Sequence, residues 1–300
     1  MRIATVFSGV GSPEQAAKRV YPNHELIFAC EWDKFARESF KANYAIQEKH
    51  FHKDISDLDG TQYKDKVDIL IGGSPCQDFS LAGLRKGIDG NKGILIYEYI
   101  RIIEEVNPPI FIYENVKGML SDKHGRTIKE FVHAFREMGY HCHYEVLNTK
   151  DYGVPQNRER IFLVGFKDTE HYYNFNFAPK MKLEKRLKDV LESDVDEKYY
   201  YDGENKRVDD YIKNKTFKDY TFIDVYSKLH RTKYAGCMTT RTDASGLTYV
   251  KVKQVPQTLD CACSIATIDE NRIRKLTPRE CFRLQDFPDD FKFVVSNSQL

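Results

Sequence analysis

The sequence predicts an α/β protein: a Rossmann-like, mostly parallel sheet with helices on both faces, joined to a smaller mixed domain. Three observations carry this reading. Short, near-continuous apolar runs alternate with helical patterns through the first half of the chain, the pattern of strands buried on both faces and connected by crossover helices. The first run ends in the glycine turn "FSGVGSPE", which opens a helix. After about Phe166 the alternation stops, which marks a different architecture.

In order, the strand-like runs are residues 3–9, 26–30, 67–73, 110–115, 140–147 and 161–166. Amphipathic stretches separate several of them: "PEQAAKRV", "DKFARESFKANY", "LIYEYIRIIEEV" and "RTIKEFVHAFREMG". Further on, "KLEKRLKDVLES" sets Leu183, Leu187, Val190 and Leu191 at helical spacing, which predicts one more helix. Residues 196–215 form a polar, tyrosine-rich run, and residues 239–260 are rich in Thr and Val with one glycine, Gly246, as in loops and short strands. The expected division is 1–168, a smaller domain at 169–270, and a final block at 271–300.

Hydrophobic residues make up 41% of the 300, enough for a substantial core. With 46 basic against 45 acidic residues the net charge is +1, which excludes a uniformly basic nucleic-acid coat but allows a basic cleft. Seven cysteines without framework spacing point to a reducing compartment. The N-terminus lacks a signal-peptide layout and no apolar run nears the roughly 20 residues that span a membrane. A cytoplasmic protein is expected.

Ligands of such sheets sit at the carboxyl ends of the strands, and the unusual residues cluster there. Gly9 and Gly11 let a ligand approach the first turn, although Glu14 stands where a dinucleotide fingerprint needs its third glycine. The second strand ends in "CEWD", placing Glu31 where an acid can bind ribose hydroxyls; Trp32 beside it is a stacking surface or a core aromatic. The third such end offers Asp54. These residues suit a nucleoside cofactor without a pyrophosphate cradle, such as S-adenosylmethionine, better than NAD. In "GGSPCQDFS" Cys76 directly follows Pro75, in a turn poorly suited to core packing; it is either a nucleophile at the sheet edge or an accident of sequence. "IFIYENVKG" ends a strand with Glu114 and Asn115, and Arg158 and Arg160 share one face at the start of another. Singly, a helix cap or solvated charge explains each of these. Together they converge on one edge.

In their order, "FSGVGS", "EWD", "KDI", "GGSPCQDFS", "ENVKGML", "VPQNRERIFLVGF" and "RKLTPRECFRLQDFPDDF" resemble the blocks of the cytosine-C5 DNA methyltransferases, across residues 7–291. The resemblance implies the methyltransferase fold with a target-recognition domain at 169–270, and transfer of a methyl group from S-adenosylmethionine to carbon 5 of a flipped-out cytosine in a specific double-stranded DNA sequence, leaving S-adenosylhomocysteine. It makes Cys76 the nucleophile that adds to cytosine carbon 6, Glu114 the group holding or donating a proton at ring N3, Arg160 the partner of the base carbonyl, and Arg158 a supporting cation. It assigns Phe7, Gly9, Gly11, Glu31, Trp32, Asp54, Ile55, Pro75 and Leu95 to the cofactor. It assigns Gln77, Ser80, Arg85, Lys86, Thr239, Thr240 and Arg241 to DNA, with residues 77–93 resembling the family's loop that closes over the flipped base. No metal is expected.

The same resemblance implies a restriction-modification or phage modification enzyme, monomeric, allied to a restriction endonuclease in function but not in complex. The family pattern continues with a Gly-Asn-Ser/Ala-Val block and a last helix that complete the cofactor pocket. This sequence stops at "VVSNSQL", so a complementing C-terminal polypeptide is a candidate partner. Two alternatives are a tRNA-methylating relative, against which the missing Cys-Phe-Thr signature counts, and a catalytically impaired DNA-binding homologue. Elsewhere, "CAC" (Cys261, Cys263) lacks metal spacing, the histidines of "HCH" (His141, His143) share one strand face, and the lysine-rich run 180–188 reads as a solvated helix face.

Overall fold

The computed structural model describes residues 1–75, 94–120, 126–200, 222–224, 229–231, 248–252 and 272–295. The chain folds as two compact units, one of Met1–Leu147, Glu159–Pro179 and Asp290–Leu300, the other of Asn148–Arg158 and Lys180–Asp289. Residues 169–179 thus group with the first unit, and the final block divides between the two.

The first unit carries a seven-stranded sheet in the order β3-β2-β1-β4-β5-β7-β6. Its strands are β1 (Arg2–Val6), β2 (Glu25–Cys30), β3 (Phe51–His52), β4 (Ile69–Gly72), β5 (Ile110–Val116), β6 (His141–Asn148) and β7 (Glu159–Phe166). The ladders from β3 across to β5 are parallel. β7 then pairs antiparallel with β5, with Glu114 opposite Phe162 and Val116 opposite Arg160. The helices α1 (Ser12–Val20), α2 (Lys34–Asn43), α3 (Ile94–Val106) and α4 (Arg126–Glu137) fall on the amphipathic stretches. The apolar faces of α3 and α4 close one core in which Tyr99, Phe111, Tyr113, Phe131 and Phe135 interlock, with Phe111 and Phe135 centroids 4.2 Å apart, while Phe40 of α2 packs with Ala29 and Phe51 in a second cluster. A short helix, α5 (Thr169–Asn174), follows β7, capped by Asp168.

The second unit holds a four-stranded antiparallel sheet, β11-β10-β8-β9, from β8 (Phe222–Asp224), β9 (Leu229–Arg231), β10 (Thr248–Val252) and β11 (Arg272–Lys275). A final helix, α6 (Pro278–Arg283), is started by a Thr277/Glu280 capping box. The helix expected from "KLEKRLKDVLES" is corrected: only a single 3₁₀ turn forms, Leu187–Val190. The Asp189 carboxylate accepts from the Arg186 N–H and closes the turn on itself. Leu187 and Val190 still bury as their spacing required, against Leu276 and Leu284. His141 and His143 do share a face, and both rings lie against Tyr172 of α5, His143 stacked at 4.2 Å.

Candidate active site

The carboxyl ends of β1, β2 and β3 gather the residues expected at a cofactor. The turn after β1 is conformationally demanding: Phe7, Gly9 and Gly11 all have positive φ, at 56°, 56° and 99°. A Cβ on Gly11 would strike the Tyr44 ring at 2.1 Å, whereas a Cβ on Gly9 would meet nothing within 4 Å. The backbone at Gly9 therefore borders open space. The Glu31 carboxylate is oriented by two backbone donors, Gly9 N–H at 2.7 Å and Asp33 N–H at 2.8 Å. Trp32 is 63% exposed, which corrects the core-aromatic alternative, and Lys53 Nζ lies over its ring at 4.7 Å. Asp54 accepts the Ser56 N–H, Ile55 is buried in the core, and Leu95 at the start of α3 packs partly buried against it. An open glycine backbone, an oriented carboxylate, an exposed indole and a second carboxylate fit an adenosine-bearing cofactor.

One residue the sequence reading passed over holds this edge together. Arg37 of α2 donates to the carbonyls of Glu31 at 3.2 Å and Phe51 at 3.0 Å, and also to that of His52. Its guanidinium stacks on the Phe51 ring at 4.0 Å. A surface-looking arginine in an amphipathic helix carries no signal of such a role, because its partners are backbone carbonyls of two separate strands.

The second cluster lies at the ends of β4 and β5. Glu114 Oε1 is 3.0 Å from Arg160 Nε; the antiparallel register sets the two diagonally on one face. Gly73 explains the double glycine of "GGSPC": a Cβ there would sit 2.3 Å from the Glu114 carbonyl and 3.1 Å from its Oε2. Asn115, 2% exposed, donates to the Ser74 carbonyl at 2.9 Å and the Tyr113 hydroxyl at 2.8 Å, and its Oδ1 accepts Val116 N–H at 2.7 Å. Ser74 Oγ closes the network on Tyr113 at 2.8 Å. The backbone two residues before Cys76 is thus fixed to β5, and Pro75 follows, exposed. Arg158 precedes β7 rather than opening it; its N–H meets Asn148 Oδ1 at 3.2 Å. Cys76, Gln77, Ser80, Arg85, Lys86, Thr239, Thr240 and Arg241, with the rest of 77–93 and Cys261 and Cys263, lie outside the described residues.

Comparison with known proteins agrees with this geometry. Residues 1–300 match the family model of the C-5 cytosine-specific DNA methylases. The chain is 34% identical over 295 residues to the type II methyltransferase M.Bsp6I of Bacillus sp. (strain RFL6), covering 97% of this chain and 89% of that protein. It is 36% identical over 228 residues to the orphan methyltransferase M.SPRI of Bacillus phage SPR, covering 67% and 52%. In fold it is similar to the Dnmt2 methyltransferase of S. pombe, with a TM-score of 0.68, 20% identity and 99% and 90% coverage. Among the described residues no helix is long and apolar enough to cross a membrane. The family implies the use of S-adenosylmethionine. The chain belongs to the C-5 cytosine-specific DNA methylase family, the DNA (cytosine-5-)-methyltransferases.

Proposed function

We propose that the chain methylates cytosine at carbon 5 through a covalent Cys76 adduct, in duplex DNA of a specific sequence. The observation that carries this is the Glu114–Arg160 pair at 3.0 Å, abutting Gly73 three residues before Cys76. A carboxyl and a guanidinium side by side match the N3 and O2 edge of a cytosine. S-adenosylmethionine, when bound, supplies an electrophilic methyl group on a sulfonium sulfur. Cys76 as thiolate forms a bond to carbon 6, which makes carbon 5 electron-rich enough to take that methyl group. Glu114 holds or gives the proton at N3, and Arg160 both orients Glu114 and reaches the base carbonyl. A base then removes the carbon-5 proton, the carbon–sulfur bond to Cys76 breaks, and the thiolate is regenerated. No metal enters this scheme.

Phe7, Gly9 and Gly11 bracket the methionine part of the cofactor, Glu31 the ribose, Trp32 and Ile55 the adenine faces, and Asp54 the adenine amino group, with Pro75 and Leu95 as walls. Gln77, Ser80, Arg85 and Lys86 approach the flipped base and its phosphates, and Arg158 supports the site. Thr239, Thr240 and Arg241, within the expected target-recognition segment, read base edges. Relatives named as type II and phage orphan methyltransferases support a role in restriction-modification or phage DNA modification. A monomer working apart from any endonuclease is part of the same proposal and rests on the family resemblance alone. The tRNA-methylating alternative gains nothing from a match to DNA methylases.

Cys76→Ser is expected to abolish methyl transfer from radiolabelled cofactor while leaving DNA binding measurable. Wild-type protein should form an adduct, stable to denaturing electrophoresis, with DNA carrying 5-fluorocytosine, because fluorine cannot leave as a proton does. A wild type that turns over normal DNA yet never traps on the fluorinated one would sink this mechanism.

A further inference from the structure

Glu14, which interrupts the dinucleotide fingerprint, takes no part in the chemistry above, yet its side chain lies wholly within the protein. A row of four oxygens runs beneath the turn at Phe7–Gly11. Glu14 Oε1 meets Thr5 Oγ1, Thr5 Oγ1 is 2.7 Å from Ser8 Oγ, and Ser8 Oγ is 3.2 Å from the Cys30 carbonyl oxygen. Glu14, Thr5 and Ser8 are 1%, 0% and 2% exposed, so water does not intervene.

Three such contacts require three protons, and the two hydroxyls carry only two. A carbonyl can only accept, so Ser8 donates to Cys30. Thr5 must then donate to Ser8, and only a protonated Glu14 can donate to Thr5. An ionised Glu14 would instead take the Thr5 proton, leaving one contact in the row with lone pair facing lone pair. Glu14 Oε2 adds a second argument: among the described residues it is buried with no hydrogen-bond partner, a poor place for an anion and a tolerable one for a neutral acid.

We infer that Glu14 is a positioning residue: as a neutral acid it completes a proton-ordered row that pins Ser8, and so holds the cofactor turn in shape. Ser8 is the residue to pin, because it stands between Phe7 and Gly9, both at φ 56°. Its N–H also meets the Cys30 carbonyl at 3.1 Å, and its own carbonyl takes the Gly11 N–H at 3.0 Å. Losing the row leaves a strained turn with fewer restraints, and the open backbone at Gly9 loses its fixed position.

Burial raises the Glu14 carboxyl from its ordinary 4.5 to about 7, against the opposing effects of the Thr5 hydrogen bond and of the residue's own backbone N–H. The titratable groups on the elements packed beside it are the Cys30 thiol of β2 and the Tyr44 hydroxyl after α2. Burial pushes the first up to about 12 and the second up as well, so both are neutral where Glu14 titrates. The charges acting on those two are Glu31, Asp54 and Arg37 on Cys30, and Glu14 itself, Arg19 and Asp290 on Tyr44.

The test is calorimetric titration with S-adenosylhomocysteine between pH 6 and 9, for wild type and Glu14→Gln, whose amide keeps a donor for Thr5. Wild-type affinity is expected to weaken above pH 7, at most about tenfold per pH unit for one linked proton, relative to a Glu14→Gln profile without that break. Thr5→Val, which cuts the row, should bind weakly throughout and lose the break. Superimposable wild-type and Glu14→Gln profiles overturn the inference. It rests on the cofactor reading above, and the two fail differently. If no cofactor binds at any pH, that reading falls, and chemical denaturation of the free protein judges the proton row. There, wild type should lose stability relative to Glu14→Gln as pH climbs from about 4.5 through about 7, and equal curves would again overturn it.

Discussion

Asn115 shows how a side chain outside the chemistry can set its geometry. Both its amide protons and its oxygen are used, on Ser74, Tyr113 and Val116, so any replacement strands buried polar groups. Asn115→Ala is expected to cost about 1–3 kcal/mol of stability and to lower the rate of single-turnover methylation at least about tenfold, because about 1.4 kcal/mol of lost positioning suffices for that. Cofactor affinity should stay within about twofold. Stopped single-turnover assays and calorimetry on the same preparation check both, and a loss of cofactor affinity without a loss of rate would remove Asn115 from the positioning of the Cys76 turn. The sequence displayed Cys76 and Glu114 clearly, since a thiol after proline and an acid ending an apolar strand are chemically conspicuous. It could not display why Gly73 is glycine, because the atom that forbids a side chain there is the Glu114 carbonyl of another strand.

At the scale of elements, Arg37 ties α2 to the ends of β2 and β3 through three carbonyls. Its side chain is only 15% exposed, so the hydrogen bonds are not simply exchanged with water. Arg37→Met, which keeps the aliphatic stem, should lower stability by about 2–4 kcal/mol, from the loss of charge-assisted bonds to part-buried carbonyls. It should also weaken cofactor binding, since Glu31 and Asp54 flank the carbonyls it holds. Denaturant midpoints and cofactor titration measure the two effects; an unchanged midpoint would mean that the strands hold themselves. The parallel strands and their helices were legible in the sequence because burial on both faces writes continuous apolar runs. The reversed direction of β7 was not, since a strand pattern reads the same in either ladder. The helix expected at 182–193 failed for a related reason: apolar spacing fixed which residues bury, while Asp189 closing on Arg186 decided the backbone.

In the whole molecule, the second unit has its own anchor. Arg274 and Glu280, 1% and 0% exposed, pair through the two terminal guanidinium nitrogens at 2.7 and 2.6 Å. Glu280 also accepts the backbone N–H groups of Thr277 at 2.9 Å and Glu192 at 2.7 Å. Breaking one side of such a pair leaves a buried charge alone, so Arg274→Met should cost about 3–5 kcal/mol, and combining it with Glu280→Gln should recover part of that. A double-mutant cycle by denaturation tests this, and additive losses would show that the two charges do not depend on each other. The first unit bears a different dependence, written in its strand order. β7 is inserted between β5 and β6, although β6 precedes it in the chain. As the chain leaves the ribosome, β6 therefore emerges with no neighbour to pair with, and β5 waits as an open edge, until residues 159–166 arrive to fill the gap. The strand that delivers Arg160 to Glu114 is the same one that closes the sheet, so a nascent chain cannot bring these two residues together before the sheet itself is complete.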